Sequence, residues 1–208
     1  MERISCFLTC CFLALKIIGQ DATKDINVVF DGYKSAIVND NGAAAVEFMD
    51  TRTLDYYKKL LNYVLTADSV TLESLPLMDK FSVLSVRHMA TKKEILAFTD
   101  KSFIAFTIKK GMMGKNTLEG YTLGKVTVKD NFAKAQIIAD GEKSDKYYHF
   151  YSDGTKWKID ITPLFAIEEK ETEDFIKQSG KPENEFIFGI LELMTEKTPS
   201  PAIWKKIK

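Results

Sequence analysis

The stretch that most constrains this chain is Tyr147 to Pro163, which reads Y-Y-H-F-Y-S-D-G-T-K-W-K-I-D-I-T-P. Asp153-Gly154 is a hairpin signal, because a two-residue type I′ turn needs positive φ at both central positions. A turn centred there predicts that Phe150 faces Trp157 and Tyr148 faces Ile159. Successive strand residues alternate between faces. Tyr148, Phe150, Trp157, Ile159 and Ile161 therefore share one face, while Tyr147, His149, Tyr151, Lys156, Lys158 and Asp160 share the other. One face is apolar and the other polar-aromatic, so a one-sided antiparallel sheet is expected.

Two further strands lead into it. Val126 and Val128 alternate with Lys125, Thr127 and Lys129. Asp130-Asn131 supplies a turn, and Ala133, Ala135 and Ile137 return on one face before a break at Asp140-Gly141. The result is a meander of about four strands. Ahead of it the apolar period is helical. Ile26, Val29, Phe30, Tyr33 and Ile37 make one stripe, ended by Asn39-Asp40-Asn41-Gly42. Leu54, Tyr57, Leu61 and Val64 make a second, with Asp50 or Thr51 able to cap it. Pro76 reads as the first residue of a third helix carrying Leu77, Phe81, Leu84 and His88 on one face. Thr91 and Glu94 have capping-box spacing. Phe103 to Ile108 fits either helix or strand, and Gly111-Met112-Met113-Gly114 interrupts regular structure. Helices followed by one sheet predict an α+β fold.

The C-terminal 45 residues return to helix. Thr172, Phe175 and Ile176 belong to one that ends at Ser179-Gly180. Pro182 starts another with a broad apolar face of Phe186, Ile187, Ile190, Leu191 and Met194, followed by Ile203 and Trp204. So apolar a helix must be covered. Its own sheet's outer face, the open end of its own domain or another subunit could do so, and the chain reversal allowed at Ser179–Pro182 favours packing within the chain.

Residues 1–19 stand apart. Glu2 and Arg3 precede the apolar run Ile4–Leu15, too short to span a bilayer but long enough for a signal-peptide core. Export to a periplasmic or extracellular space is expected, with the mature chain starting near Gln20 and no transmembrane segment in it. That reading stands ahead of a lipid anchor on Cys10 or Cys11 and of an ordinary buried first helix. All three cysteines lie in this run, so the rest of the chain offers neither disulfide nor thiol chemistry. Without Glu2, Arg3 and Lys16 the formal charge is −1. A nucleic-acid partner is not expected from so balanced a chain, because it has no cationic surplus to neutralise phosphates.

The helical pair, Val126-x-Val128 with Ala133-x-Ala135, the strand of Tyr148 and Phe150, and Asp153-Gly154 with Trp157-Lys158-Ile159-Asp160 together resemble the nuclear-transport-factor-2-like superfamily. The likeness covers 26–66 and 120–163. It implies a cone-like domain over 20–163, with N-terminal helices packed on a curved sheet and 164–208 as an added helical extension. Residues 68–115 are longer than the corresponding part of that family. The family hosts many functions, so the likeness speaks to fold more than activity.

Family enzymes usually carry an Asp or His acid/base inside the cone. The candidates here are His88, with Asp79 or Tyr33 nearby, in an isomerase or dehydratase reading; the alternative is a core histidine satisfied by one hydrogen bond. Met112 and Met113 are candidates to line the mouth against a small apolar ligand. Tyr147, His149 and Tyr151 form a candidate interaction surface, unless the C-terminal helices cover it. A toxin-immunity or envelope-interaction role would use that face. Glu168 to Asp174 reads as a solvated helix face. No metal-ligand spacing, nucleophile elbow or phosphate loop occurs, and neither metal nor cofactor is expected. The reading these features favour is an exported, non-catalytic domain that binds a small ligand or a protein.

Overall fold

The computed structural model describes residues 22–208. The expectations for residues 1–19 fall outside the described residues. The architecture is α+β: helices, then one four-stranded antiparallel sheet in the order β1-β2-β3-β4, then helices again. Among the described residues, no helix is long and apolar enough to cross a membrane.

Helix α1 covers 22–38 and buries Ile26, Phe30, Tyr33 and Ile37, the stripe its spacing predicts. Asn41 caps α2 (Gly42–Phe48), and Asp50 caps α3 (Thr51–Thr66) by accepting from the Arg52 amide. The middle of the chain is a run of short helices. These are α4 (Ser69–Ser74), α5 (Leu77–Met89), α6 (Lys92–Ala97), α7 (Asp100–Lys109) and α8 (Lys115–Glu119). Thr91 and Glu94 form the expected capping box of α6, and Phe103–Ile108 resolves as helix within α7. Pro76 lies one position outside α5 as its cap. Proline offers no side chain for that end. Glu169, distant in sequence but on a helix that packs against α5, instead accepts the Leu77 and Met78 amides at 2.7 and 3.1 Å.

The sheet comprises β1 (Tyr121–Lys129), β2 (Phe132–Ala139), β3 (Glu142–Ser152) and β4 (Trp157–Asp160). Tyr148, Phe150, Trp157 and Ile159 are buried together, as the alternation requires. The hairpin register differs from expectation. Phe150 opposes Ile159 and Ser152 opposes Trp157, a shift of two residues. The reason is local. Only Gly154 has positive φ. Asp153 Oδ1 instead accepts from the Thr155 hydroxyl, the Thr155 amide and the Lys156 amide at 2.6, 2.8 and 3.0 Å, building a four-residue loop. Those donors hold the Asp153 carboxyl down to about 2. The tight two-residue turn with both φ positive occurs at Asp140-Gly141. A shift of two preserves the faces, because side-chain alternation has period two.

Helix α9 (Thr162–Ser179) starts immediately after β4. The buried Asp160 carboxylate ties that start, accepting from the Thr162 amide at 3.0 Å and from the Thr162 and Thr53 hydroxyls. Gly180 ends α9 in the left-handed conformation that glycine adopts without penalty. Helix α10 (Glu183–Thr195) packs on α5 with Ile187 and Leu191 buried, and a 3₁₀ turn over Pro201–Trp204 buries Ile203. Buried Lys80 of α5 pairs with Glu183 at 2.6 Å and Glu73 at 3.0 Å. The tail is therefore held within the chain by apolar and ionic contacts together.

Candidate functional site

Between the inner sheet face, α1, α3, α8 and α9 lies a cavity of about 380 Å³, within the range of small-molecule sites. The sheet contributes Ile137 and Tyr148, both on the buried face. Helix α9 crosses that face, not the outer one, and brings Leu164, Phe165, Glu168 and Glu171 to the cavity. A smaller recess of about 50 Å³ continues toward Tyr56, Ser82 and Thr107.

The polar content of this cavity is phenolic. Tyr33, Tyr57 and Tyr148 come from three different elements and are 3%, 7% and 5% exposed. Among the described residues nothing hydrogen-bonds their hydroxyls, and the one fully enclosed polar side-chain atom without a partner is Asn184 Oδ1. The three hydroxyls are therefore open to the cavity space. A buried tyrosine O–H ordinarily finds a partner. Three converging without one leave donors and acceptors for something else. Burial raises all three phenols above their ordinary value, and the neighbouring Glu168 carboxylate pushes the same way. They stay protonated at neutral pH.

Three charged groups sit at the mouth. Lys146 Nζ contacts both carboxylate oxygens of Glu171 at 2.8 Å. Burial opposes the lysine's charge, but the pair with Glu171 outweighs it and raises its pKa. Lys146 is placed by an irregularity in β3: between Gln136↔Tyr147 and Ile138↔Lys143 the strand carries extra residues. The Ser144 hydroxyl anchors that bulge by donating to the Ile137 carbonyl at 2.9 Å. Glu168 has neither an ion pair nor a side-chain hydrogen bond among the described residues. Desolvation raises its carboxyl, with Lys146 opposing and Glu171 adding to the rise. Glu168 is nonetheless exposed by accessible surface, so solvent screens much of this effect.

The sequence candidates distribute as follows. Tyr33, Met112 and Met113 line the cavity. His88 does not join them: its Nε2 lies 2.8 Å from Thr195 Oγ1, beside Lys110 and Met194 in a separate surface recess. Asp79 accepts from the Tyr56 hydroxyl at 2.7 Å instead. Nine residues of helix separate Asp79 and His88 by about 13 Å and half a rotation, so they cannot act on one group. Tyr147, His149 and Tyr151 lie on the outer sheet face, partly buried by one another's neighbours. Phe132 packs against His149 and Tyr151, and the Arg52 guanidinium lies 3.6 Å from the Tyr151 ring centroid. Desolvation lowers the His149 pKa, with Lys134 adding to the fall and Asp160 opposing it. The C-terminal helices do not cover this face.

The acidic segment of α9 is largely exposed, as a solvated face should be, but several of its carboxylates also have partners or a cavity to face. Glu168 lines the cavity, Glu169 caps α5 and Glu171 holds Lys146; Glu173 and Asp174 alone pair locally, with Lys177. Tyr57, Tyr148 and Glu168 are the site residues that pattern reading missed. The first two read as ordinary core positions, and only the unpartnered hydroxyls mark them.

No family model, curated protein or solved structure matches this chain. Among the described residues, no group of three His, Cys, Asp or Glu is arranged to hold a metal ion.

Proposed function

We propose that this chain is an exported, non-catalytic domain that binds a small ligand inside its α+β fold, on a scaffold of the nuclear-transport-factor-2-like kind. The observation that carries the reading is the convergence of the Tyr33, Tyr57 and Tyr148 hydroxyls, without protein partners, on a cavity of about 380 Å³. Apolar walls with a few placed polar groups are the composition of a binding site. The titratable groups present also favour binding over reaction. The phenols are held out of the neutral range and the lysine is already paired, leaving one carboxylate and no histidine among the residues that line the cavity. An acid/base pair matched to neutral pH is what an isomerase of this scaffold would need.

The test is ligand-observed NMR with a set of amphipathic fragments, using wild type and Thr172→Trp. Thr172 lines the mouth on α9, and a bulky residue there should close it. Fragments that bind wild type and lose binding to the blocked variant support the reading. A set that binds neither protein, or both equally, overturns it.

A further inference from the structure

Resting on the reading of this cavity as a ligand site, we propose that its ligand is a small organic cation, a quaternary or protonated amine carrying an apolar body. Three charged side chains face the cavity. From α9 come Glu168 and Glu171, and from β3 comes Lys146. Lys146 is spent on Glu171, both of whose oxygens it contacts at 2.8 Å. The Glu168 carboxylate is left over. The remaining titratable groups on the walls are the phenols Tyr33, Tyr57, Tyr121 and Tyr148. The mouth therefore carries a net negative charge in a partly desolvated place, where a single opposite charge interacts more strongly than in water.

The walls match the same ligand. A cation is attracted to the faces of aromatic rings, and sites for quaternary ammonium groups are commonly aromatic cages. Here four tyrosines and Phe165 come from α1, α3, β1, β3 and α9. Ile137, Ile161 and Leu164 offer surface to an apolar body. The unpartnered phenol oxygens of the buried Tyr33, Tyr57 and Tyr148 can accept hydrogen bonds from a protonated amine or its attached hydroxyl. An anion would gain the phenol O–H donors, but it would have to approach two carboxylates and compete with Glu171 for Lys146, the one lysine on the walls among the described residues. Electrostatics thus separates two ligand classes that hydrogen bonding alone would leave equal.

Three probes of one shape test this: choline, its neutral isostere 3,3-dimethylbutan-1-ol, and the anion 3,3-dimethylbutanoate. Each is titrated into 13C-tyrosine-labelled full-length protein, its Glu168→Gln variant and a Glu173→Gln control. Glu173 is on the same helix but pairs outward with Lys177. The expected result is shifts in the cavity tyrosines with the cation favoured over the neutral isostere by about tenfold. Glu168→Gln should erase most of that preference and Glu173→Gln should keep it. Equal binding of cation and isostere, or a preferred anion, overturns the cation assignment and leaves the cavity as a ligand site; a cation preference that survives Glu168→Gln overturns Glu168 as its source. Probes of all three charges leaving the cavity tyrosines unmoved overturn both.

Discussion

Arg87→Met removes the buried side chain that joins the end of α3 to the C-terminal tail, beside the backbone bonds from the Ile207 and Lys208 amides to the Leu65 carbonyl. Arg87 is 6% exposed and donates to four carbonyls: Val64, Ile203, Tyr63 and Ala67, at 2.9, 3.0, 3.1 and 2.7 Å. It has no carboxylate partner, and burial lowers its pKa to about 10, so it remains charged at neutral pH. Methionine conserves much of the volume but donates nothing. Tyr63 keeps a partner in the Ala67 amide. The carbonyls of Val64, Ala67 and Ile203 lose theirs, at about 1–3 kcal/mol for each group left unsatisfied. Removing a desolvated charge offsets part of this, and water can reach carbonyls near the tail. The expected loss is about 3–5 kcal/mol, three such groups less that offset. That is a large share of a typical total stability of about 5–15 kcal/mol. At about 2–4 °C per kcal/mol for a domain of this size, the melting temperature should fall by roughly 10 °C. Urea denaturation followed by circular dichroism measures the global loss. Hydrogen exchange at the Ile207 and Lys208 amides, both bonded to the Leu65 carbonyl, reports on the tail itself. Arg87→Lys should restore only part of the stability, since an ammonium cannot span four acceptors. A midpoint for Arg87→Met within about 0.5 kcal/mol of wild type, the scatter of ordinary surface changes, would refute the clamp.

Three further outcomes are expected. Trp157→Ala should cost about 3–5 kcal/mol in chemical denaturation, since Trp157 is buried on the inner face opposite Ser152; an unchanged midpoint would mean the face is inverted. Gly42→Ala should destabilise by about 1–3 kcal/mol, because a Cβ there would stand 2.3 Å from the Ala105 Cα where α2 crosses α7; a stabilised variant would contradict that close approach. Burial raises the Glu168 pKa above its ordinary 4.5, so its contribution is whole below the unfolded value and is lost as pH rises through the folded one; Glu168→Gln should gain melting temperature relative to wild type with rising pH across that window, and a constant difference would argue against a desolvated carboxylate.

Local pattern carried the elements and their faces. The 3.6-residue stripe Ile26–Phe30–Tyr33–Ile37 and the alternation through Tyr148–Phe150 and Trp157–Ile159 each specify a buried side, because an apolar face must leave water wherever it is covered. The capping box at Thr91–Glu94 was equally legible, since all its partners lie within four residues. What covers each face was not legible. The tail's apolar residues required some cover, and the fold supplied α5 for α10 and the inner sheet face for α9. The Asp153 loop changed the register through three short hydrogen bonds that compete with the tight turn favoured by the same dipeptide. The site was the least visible of all. Tyr33, Tyr57, Tyr148 and Glu168 are distant in sequence, and a tyrosine at a core position looks the same whether its hydroxyl meets a partner or an open cavity. Only packing decides that, because it depends on the volume left between helices and sheet rather than on any residue's neighbours in the chain.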